Sequence, residues 1–462
     1  MSEQQVISAN FAALDSKRFP KEPSINVPAD FNIGSVDAVL TLHQKTDGTV
    51  PQIHDDETPP PAPLSFFQGK FAGPGFNTIF RPSGPKNREN AAKNPALGSK
   101  FPIDINTEAI KKAGVLDDNI LELNLTREAW SFSTPLGQVP NRGSEGQDDI
   151  VILGVPYTQS VRDVTNPDNG TGDASPGRPI HFEPGLFLHV PAVDKPQSGP
   201  TISRLASIPH GTTINAFGLA PNPDVETPGP PIFPEINIIP TISSSGDPIS
   251  KFPNLSFKPS DTARLPQDLT PFGKTGAITE ESFKNPNLVL KSFNAPLGNR
   301  IVSHYRFTVA TSSATSAADV ATVNGTVPAA STHIPGLANI SFLDKPRTDT
   351  VTGPNADAIK VTATFWVSKV SYKIKVDPIK KGETREIVPL DALPGATGPK
   401  FKIVADRDIS RGGTITVFAR HIQYSQNVTL LFRKLDWPHV SLASLIPQDA
   451  VLVPAADLSK LL

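Results

Sequence analysis

The chain has 462 residues, 49 prolines, 32 glycines, no cysteine and a formal net charge of −2. This length buries a sizeable core. The missing thiols exclude disulfides, thiolate metal centres and cysteine catalysis, and the balanced charge offers no basic footprint for nucleic acid or an anionic membrane surface. No run reaches the roughly 20 apolar residues of a membrane-spanning helix, and Met1 to Pro20 lacks a basic segment followed by an apolar one. A cytoplasmic protein with no nucleic-acid partner and no membrane span is expected.

Proline at about twice its average usage leaves no room for long helices. Residues 1–63 are polar and close on "DDETPPPAP", an extended arm or linker. The organised part begins at "LSFFQGKFAGPGFNTIFRP" (Leu64 to Pro82), where aromatic and small residues alternate and glycines mark close backbone approaches. "INTEAIKKAG" (Ile105 to Gly114) carries a cap at either end and predicts a short helix. Strands follow in "NILELNLT", with Leu121, Leu123 and Leu125 sharing a face, then in "AWSFS", "DIVILGVPY" and "IHFEPGLFLHVPA". In the last of these Pro184-Gly185 suggests a bulge or turn. "TISRLASIPHGTTINAFG" is a hairpin about Pro209-His210-Gly211.

Residues 219–299 are rich in Pro, Asn, Ser and Gly and read as a long insertion, with others at about 83–118 and 377–399. Strands resume at "RIVSHYRFTVA" and "LANISFL". The longest alternation, Ala358 to Val376, sets Val361, Ala363, Phe365 and Val367 against Thr362, Thr364, Trp366 and Ser368. "KFKIVA", "GTITVFARHIQYSQNVTLLF" and "WPHVSLASL" complete the series, and residues 447–462 form a tail. The fold class is all-β: about ten antiparallel strands in a closed barrel or large sandwich over residues 64–446, with long loop insertions and a few short helices.

Common catalytic signatures are absent. There is no G-x-S-x-G elbow and no H-E-x-x-H, and "PFGKTG" has Asp268 where a phosphate loop needs its first glycine. The chemistry that remains belongs to the nine histidines. In "WPHVSLASL", His439, Ser441, Ala443 and Leu445 share one strand face, a sparse wall with one imidazole to offer. Such a wall suits a planar ligand, or simply a polar face turned to water. His181 and Glu183 also share a face, so the carboxylate can orient the imidazole, and with His210 or His439 they make a two-histidine, one-carboxylate set. Arg81 and Arg204 suit bidentate pairing with propionates or other carboxylates, or a structural ion pair.

Taken in order, these strands resemble a known family. "GKFAGPG" (Gly69 to Gly75) resembles the G-x-W-x-G-x-G opening strand of nitrobindin and the fatty-acid-binding-protein-like calycin barrels, with Phe71 in the tryptophan place. "HFEPGLFLHVP" resembles their H-x-E-x-G strand and "HVSLASL" their terminal H-L-x-A-x-L strand. Residues 64–446 more closely resemble larger proteins described as haem-binding or peroxidase-like, through "GFNTIFRP", "LELNLT", "VPNRG", "IPHGTTI", "ATFWV" and "WPHVSLASL".

The resemblance implies a calycin-like barrel that binds haem b with His439 on iron, and with Phe71, Arg81 and Glu183 around the cofactor. An open iron position would take a diatomic ligand, a nitrogen oxide or peroxide. Peroxide chemistry would then use His181 or His210 as acid and base, with Arg204 stabilising charge. Two readings of other classes stand beside it: a haem-free carrier or cofactor-independent isomerase or cyclase for a hydrophobic molecule, and a structural protein with a packed interior.

Overall fold

A computed structural model describes residues 58–82, 119–144, 146–166, 168–194, 197–208, 211–248, 269–311, 336–339, 356–392, 398–432 and 435–461. The expected helix at 105–114, the insertion at 83–118, His210 and all but the last residues of the 1–63 arm lie outside them. Ten long strands carry the fold. They are β1 (Gly69–Pro82), β2 (Asn119–Phe132), β3 (Ile150–Asp163), β4 (Arg178–Val190), β5 (Thr201–Ser207), β6 (Thr212–Leu219), β7 (Ile301–Thr311), β8 (Asp357–Val376), β9 (Gly413–Phe432) and β10 (Leu435–Pro447).

Each strand pairs antiparallel with the next in sequence, and β10 returns to β1. The result is a closed up-and-down barrel, which leaves no long sheet edge exposed. Backbones approach closely where β1 meets β10. A Cβ on Gly73 would stand 1.9 Å from the carbonyl oxygen of Ser444, so only glycine admits the approach.

All ten strands send side chains to one interior cluster, among them Phe71, Trp130, Val155, Phe187, Ile202, Ile214, Phe307, Phe365, Tyr424 and Ala443. One end is stoppered by the short 3₁₀ turn Leu64–Phe66 and by Phe67, whose ring packs on Phe132 at 4.8 Å and Phe187 at 5.2 Å. Arg420 lies 3.9 Å over the Phe66 ring and holds Glu226 through two hydrogen bonds of 2.7 and 3.0 Å, fastening the start of the 219–299 insertion to this end. At the other end the interior-facing His181, His439 and Ser441 keep partial exposure.

The insertion clothes the outside of the barrel rather than its mouth. Helices α1 (Thr270–Thr275), α2 (Glu280–Lys284) and α3 (Asn287–Asn294), with Phe233, Ile236 and Ile238, cover Phe76, Phe80, Leu121, Leu123, Leu125, Trp366, Val440 and Leu442. Leu121, Leu123 and Leu125 therefore face outward under this cover, and Glu122, Asn124, Thr126, Glu128 and Trp130 face the lumen.

Beyond the stoppered end β8 and β9 continue as a two-stranded arm. With strands 384–387, 401–404 and 451–452 and the C-terminal turns they form a second apolar cluster around Tyr372, Ile374, Phe401 and Ile403. Residues 377–392 and 447–461 are thus packed into one small lobe. Among the described residues no helix is long and apolar enough to cross a membrane.

The expected break at Pro184-Gly185 is not there: β4 runs unbroken through both. Gly185 lies against Tyr157, where an added Cβ would be 2.4 Å from Cζ. Pro184 is tolerated because β5 pairs with β4 only from Gly185 onward, so the missing N–H leaves no ladder bond unmade on that side. Because the Gly73 contact is backbone to backbone, Gly73→Ala is expected to cost more than about 2 kcal/mol of stability in urea unfolding. A loss under about 0.5 kcal/mol would contradict the close approach.

Candidate functional site

Two buried polar clusters sit inside the barrel, above the aromatic floor. In the first, Glu183 on β4 and Arg204 on β5 are both essentially without exposure and meet at 2.5 Å, Arg204 Nη2 donating to Glu183 Oε1. Tyr157 on β3 donates its hydroxyl proton to the same Oε1, also at 2.5 Å, and its oxygen accepts from Arg204 Nε at 2.9 Å. Arg204 Nη1 donates to Gln426 Oε1 on β9, and His181 Nε2 lies 3.2 Å from Glu183 Oε2. Burial pushes the Glu183 carboxyl up, but Arg204 and His181 outweigh it and hold it below the usual carboxylate range.

The second cluster surrounds Glu128 on β2. Its Oε2 accepts from Tyr424 Oη at 2.7 Å, Gln159 Nε2 at 2.9 Å and Trp130 Nε1 at 3.4 Å. No cation pairs with it directly, so burial pushes its pKa up to about 7 despite these three donors. Trp130 stacks on Tyr157 at 4.9 Å and so joins the two clusters through their aromatic partners.

Near the partly exposed end, Asn77 on β1 donates from Nδ2 to His439 Nε2 at 2.9 Å and to Ser441 Oγ at 2.8 Å. An amide nitrogen can only donate, so His439 Nε2 accepts and the neutral ring carries its proton on Nδ1. Register places Asn124, Asn77, Ser441 and Gln426 side by side across β2, β1, β10 and β9. His439 thus stands above a row of amides and a hydroxyl. Val361, Ala363 and Val309 supply an apolar wall on β8 and β7. Where β4 runs past the end of β5, an open groove of about 490 Å³ is lined by Gly185, Ala206 and Ile214 and by the outward Leu186 and Leu205.

Of the residues marked in the sequence, His181, Glu183 and Arg204 come together, and His439 faces the lumen apart from them with Asn77 and Ser441. Phe71 belongs to the aromatic floor, edge-on to Phe132 at 5.8 Å. Arg81 is in β1, and His210 lies outside the described residues. Arg204 has each of its nitrogens engaged within the barrel, which suits it to holding Glu183 rather than meeting a ligand carboxylate. His421 is buried in the second lobe beneath a 2.7 Å hydrogen bond from Tyr372, where burial pushes its pKa down to about 3.

The pattern alone did not mark Asn77, Thr126, Glu128, Tyr157, Gln159, Tyr424 or Gln426. For the β2 residues a signal was present, because the acidic and amide positions of "LELNLTREAW" alternate with its leucines. Among the described residues no group of three or more histidine, aspartate or glutamate side chains is arranged to hold a metal ion. No family model, curated protein or solved structure matches the chain. The class defined by the fold is that of closed antiparallel β-barrels, and the chemistry must be argued from the lumen itself.

Removing one partner of a buried ion pair strands the other charge. Arg204→Met is expected to lower stability by about 3–5 kcal/mol, and Arg204→Met with Glu183→Gln by clearly less, in urea unfolding. Equal losses would contradict the pairing. Glu128 provides the opposite sign of pH linkage. Its folded pKa of about 7 lies above its ordinary 4.5, so the folded state keeps a proton that the unfolded chain has lost. Its contribution is intact below pH 4.5 and falls away as pH rises to 7, by about 3 kcal/mol at one unit per 1.36 kcal/mol. Glu128→Gln should therefore gain on the wild type over that window, and a constant difference across pH would contradict the assignment.

Proposed function

We propose that this barrel is a binding protein for a small, largely hydrophobic ligand that enters at the His439 end, with haem b as the first ligand to test. The observation that carries the reading is the His439 imidazole, turned into the lumen with Nε2 as a hydrogen-bond acceptor to Asn77. That lone pair is the one an axial ligand gives to iron, and Asn77 fixes the tautomer that presents it. Ser441 and Ala443 keep the wall beside it low, and Val361, Ala363 and Val309 offer apolar contact. Bound haem would supply an iron with one protein ligand and one open position.

The chain's own part in such a site is limited and definite. His439 would offer Nε2 to the ligand only once Asn77, which now donates to that nitrogen, had turned aside, and His181 points its Nε2 toward Glu183 rather than toward the lumen. Peroxide chemistry has less support than binding, because Arg204 is committed to Glu183, Tyr157 and Gln426. The haem-free carrier is favoured by a separate observation, the amide and hydroxyl row beneath His439, which suits an oxygen-bearing ligand.

Titration of the purified protein with ferric haem tests the choice. A Soret band saturating at one equivalent, lost or shifted in His439→Ala and kept in His181→Ala, is the expected result. Haem taken up no better than by an unrelated protein, or equally by His439→Ala, overturns the axial role and leaves the carrier reading.

A further inference from the structure

Two histidines face the lumen near the open end, and the side chains they meet differ in one chemical respect. His181 Nε2 lies 3.2 Å from Glu183 Oε2. Despite its burial, Arg204 keeps that carboxyl ionised, and a carboxylate oxygen only accepts, so His181 carries a proton on Nε2. His439 Nε2 lies 2.9 Å from Asn77 Nδ2, and an amide nitrogen only donates. The same ring atom therefore presents a proton at one histidine and a lone pair at the other. A carboxylate decides the first case and an amide the second.

Asn77 is held where it can make that choice. It is 8% exposed on β1 and pairs in register with Ser441 of β10, while His439 lies two residues from Ser441 on the same face. Both hydrogens of Nδ2 are engaged, one with His439 Nε2 and the other with Ser441 Oγ at 2.8 Å. Ser441 thus anchors the amide independently of the histidine. When Nδ2 leaves Nε2, one hydrogen bond of the two is lost and the side chain is still held.

We infer that Asn77 is the positioning residue that controls axial ligation at His439: its amide fixes the tautomer with the lone pair on Nε2, and the same amide competes for that lone pair. The inference rests on the binding reading above and adds to it the regulation of that site. The two effects oppose each other. Fixing the tautomer favours an axial bond, which needs the unprotonated nitrogen. Competition weakens that bond by about the worth of one neutral hydrogen bond, on the order of fivefold in affinity. A carboxylate in place of the amide would do neither, because it draws the ring proton onto Nε2.

The test uses the full chain as wild type, Asn77→Leu and Asn77→Asp, both close to asparagine in shape. The ring nitrogens of isotope-labelled histidine are read by two-bond proton–nitrogen correlation with no ligand added, and ferric haem is titrated in parallel. In the wild type Nε2 of His439 is expected bare and Nε2 of His181 protonated. Asn77→Asp should move the His439 proton to Nε2, the arrangement His181 already has. It should also weaken haem more than about tenfold, since a hydrogen bond to a charged group must then be broken.

Asn77→Leu removes direction and competition together. Both tautomers of His439 should then appear, and haem affinity should change by less than about fivefold in either sense. A merely structural asparagine predicts the reverse order, because aspartate keeps more of its contacts than leucine does. A protonated Nε2 in the wild type overturns the inference, as does haem bound by Asn77→Asp as tightly as by the wild type, and in both cases the binding reading stands. Should the aspartate variant not fold, the spectra of wild type and Asn77→Leu carry the test, and one unchanged tautomer in the two overturns the inference. Haem taken up by none of the three overturns the binding reading and the inference with it.

Discussion

The interior of this barrel is organised by the need to bury the Glu183 carboxylate. At zero exposure it cannot be solvated by water, and a lone charge there would cost several kcal/mol. Arg204 meets it from the next strand, and the guanidinium then needs acceptors for its remaining protons. Tyr157 and Gln426 supply them from β3 and β9. Gly185 must lack a side chain so that the Tyr157 ring can lie over β4. One buried charge thus ties together the side chains of four strands, β3, β4, β5 and β9. Such a pair contributes little net stability compared with an apolar core, and its stronger effect is to fix which side chains face which.

The fold was legible where alternation is unambiguous and blurred where both faces are buried. Strand count and antiparallel order follow from short runs of Val, Ile, Thr and Phe broken by turn residues, and the barrel contains the expected ten strands. The insertion hid the orientation of β2. Three leucines on one face normally mean the core, but here that face lies under α1 to α3, and the polar face turns inward. Trp366 and Ser368 repeat the effect on β8: they lie opposite the inward Val361, Ala363 and Phe365 and are equally buried. A period of two tells which residues share a face, and only tertiary cover tells which face is the lumen.

The site was legible in fragments for a related reason. His181 with Glu183 and His439 with Ser441 were visible because two residues on one strand share a face at a fixed spacing. Arg204, Tyr157, Gln426 and Glu128 reach the lumen from separate strands, between 21 and 296 positions from the partners they meet on other strands. No local pattern carries such a meeting. The tautomer of His439 was out of reach in the same way, since it depends on Asn77, 362 positions away.

Polarity along the lumen constrains what can occupy it. The stoppered end is filled by stacked and edge-on rings from Phe67, Trp130, Phe187, Phe307 and Phe365, with the Arg204 guanidinium 5.9 Å over Trp130 and 5.8 Å over Phe365. The far end has amides and hydroxyls on β1, β2, β9 and β10 and aliphatic side chains on β7 and β8. The far end of the lumen is thus amphipathic across its width, with the Asn77, Asn124 and Gln426 amides and the Ser441 hydroxyl on one side and the Val309, Val361 and Ala363 side chains on the other.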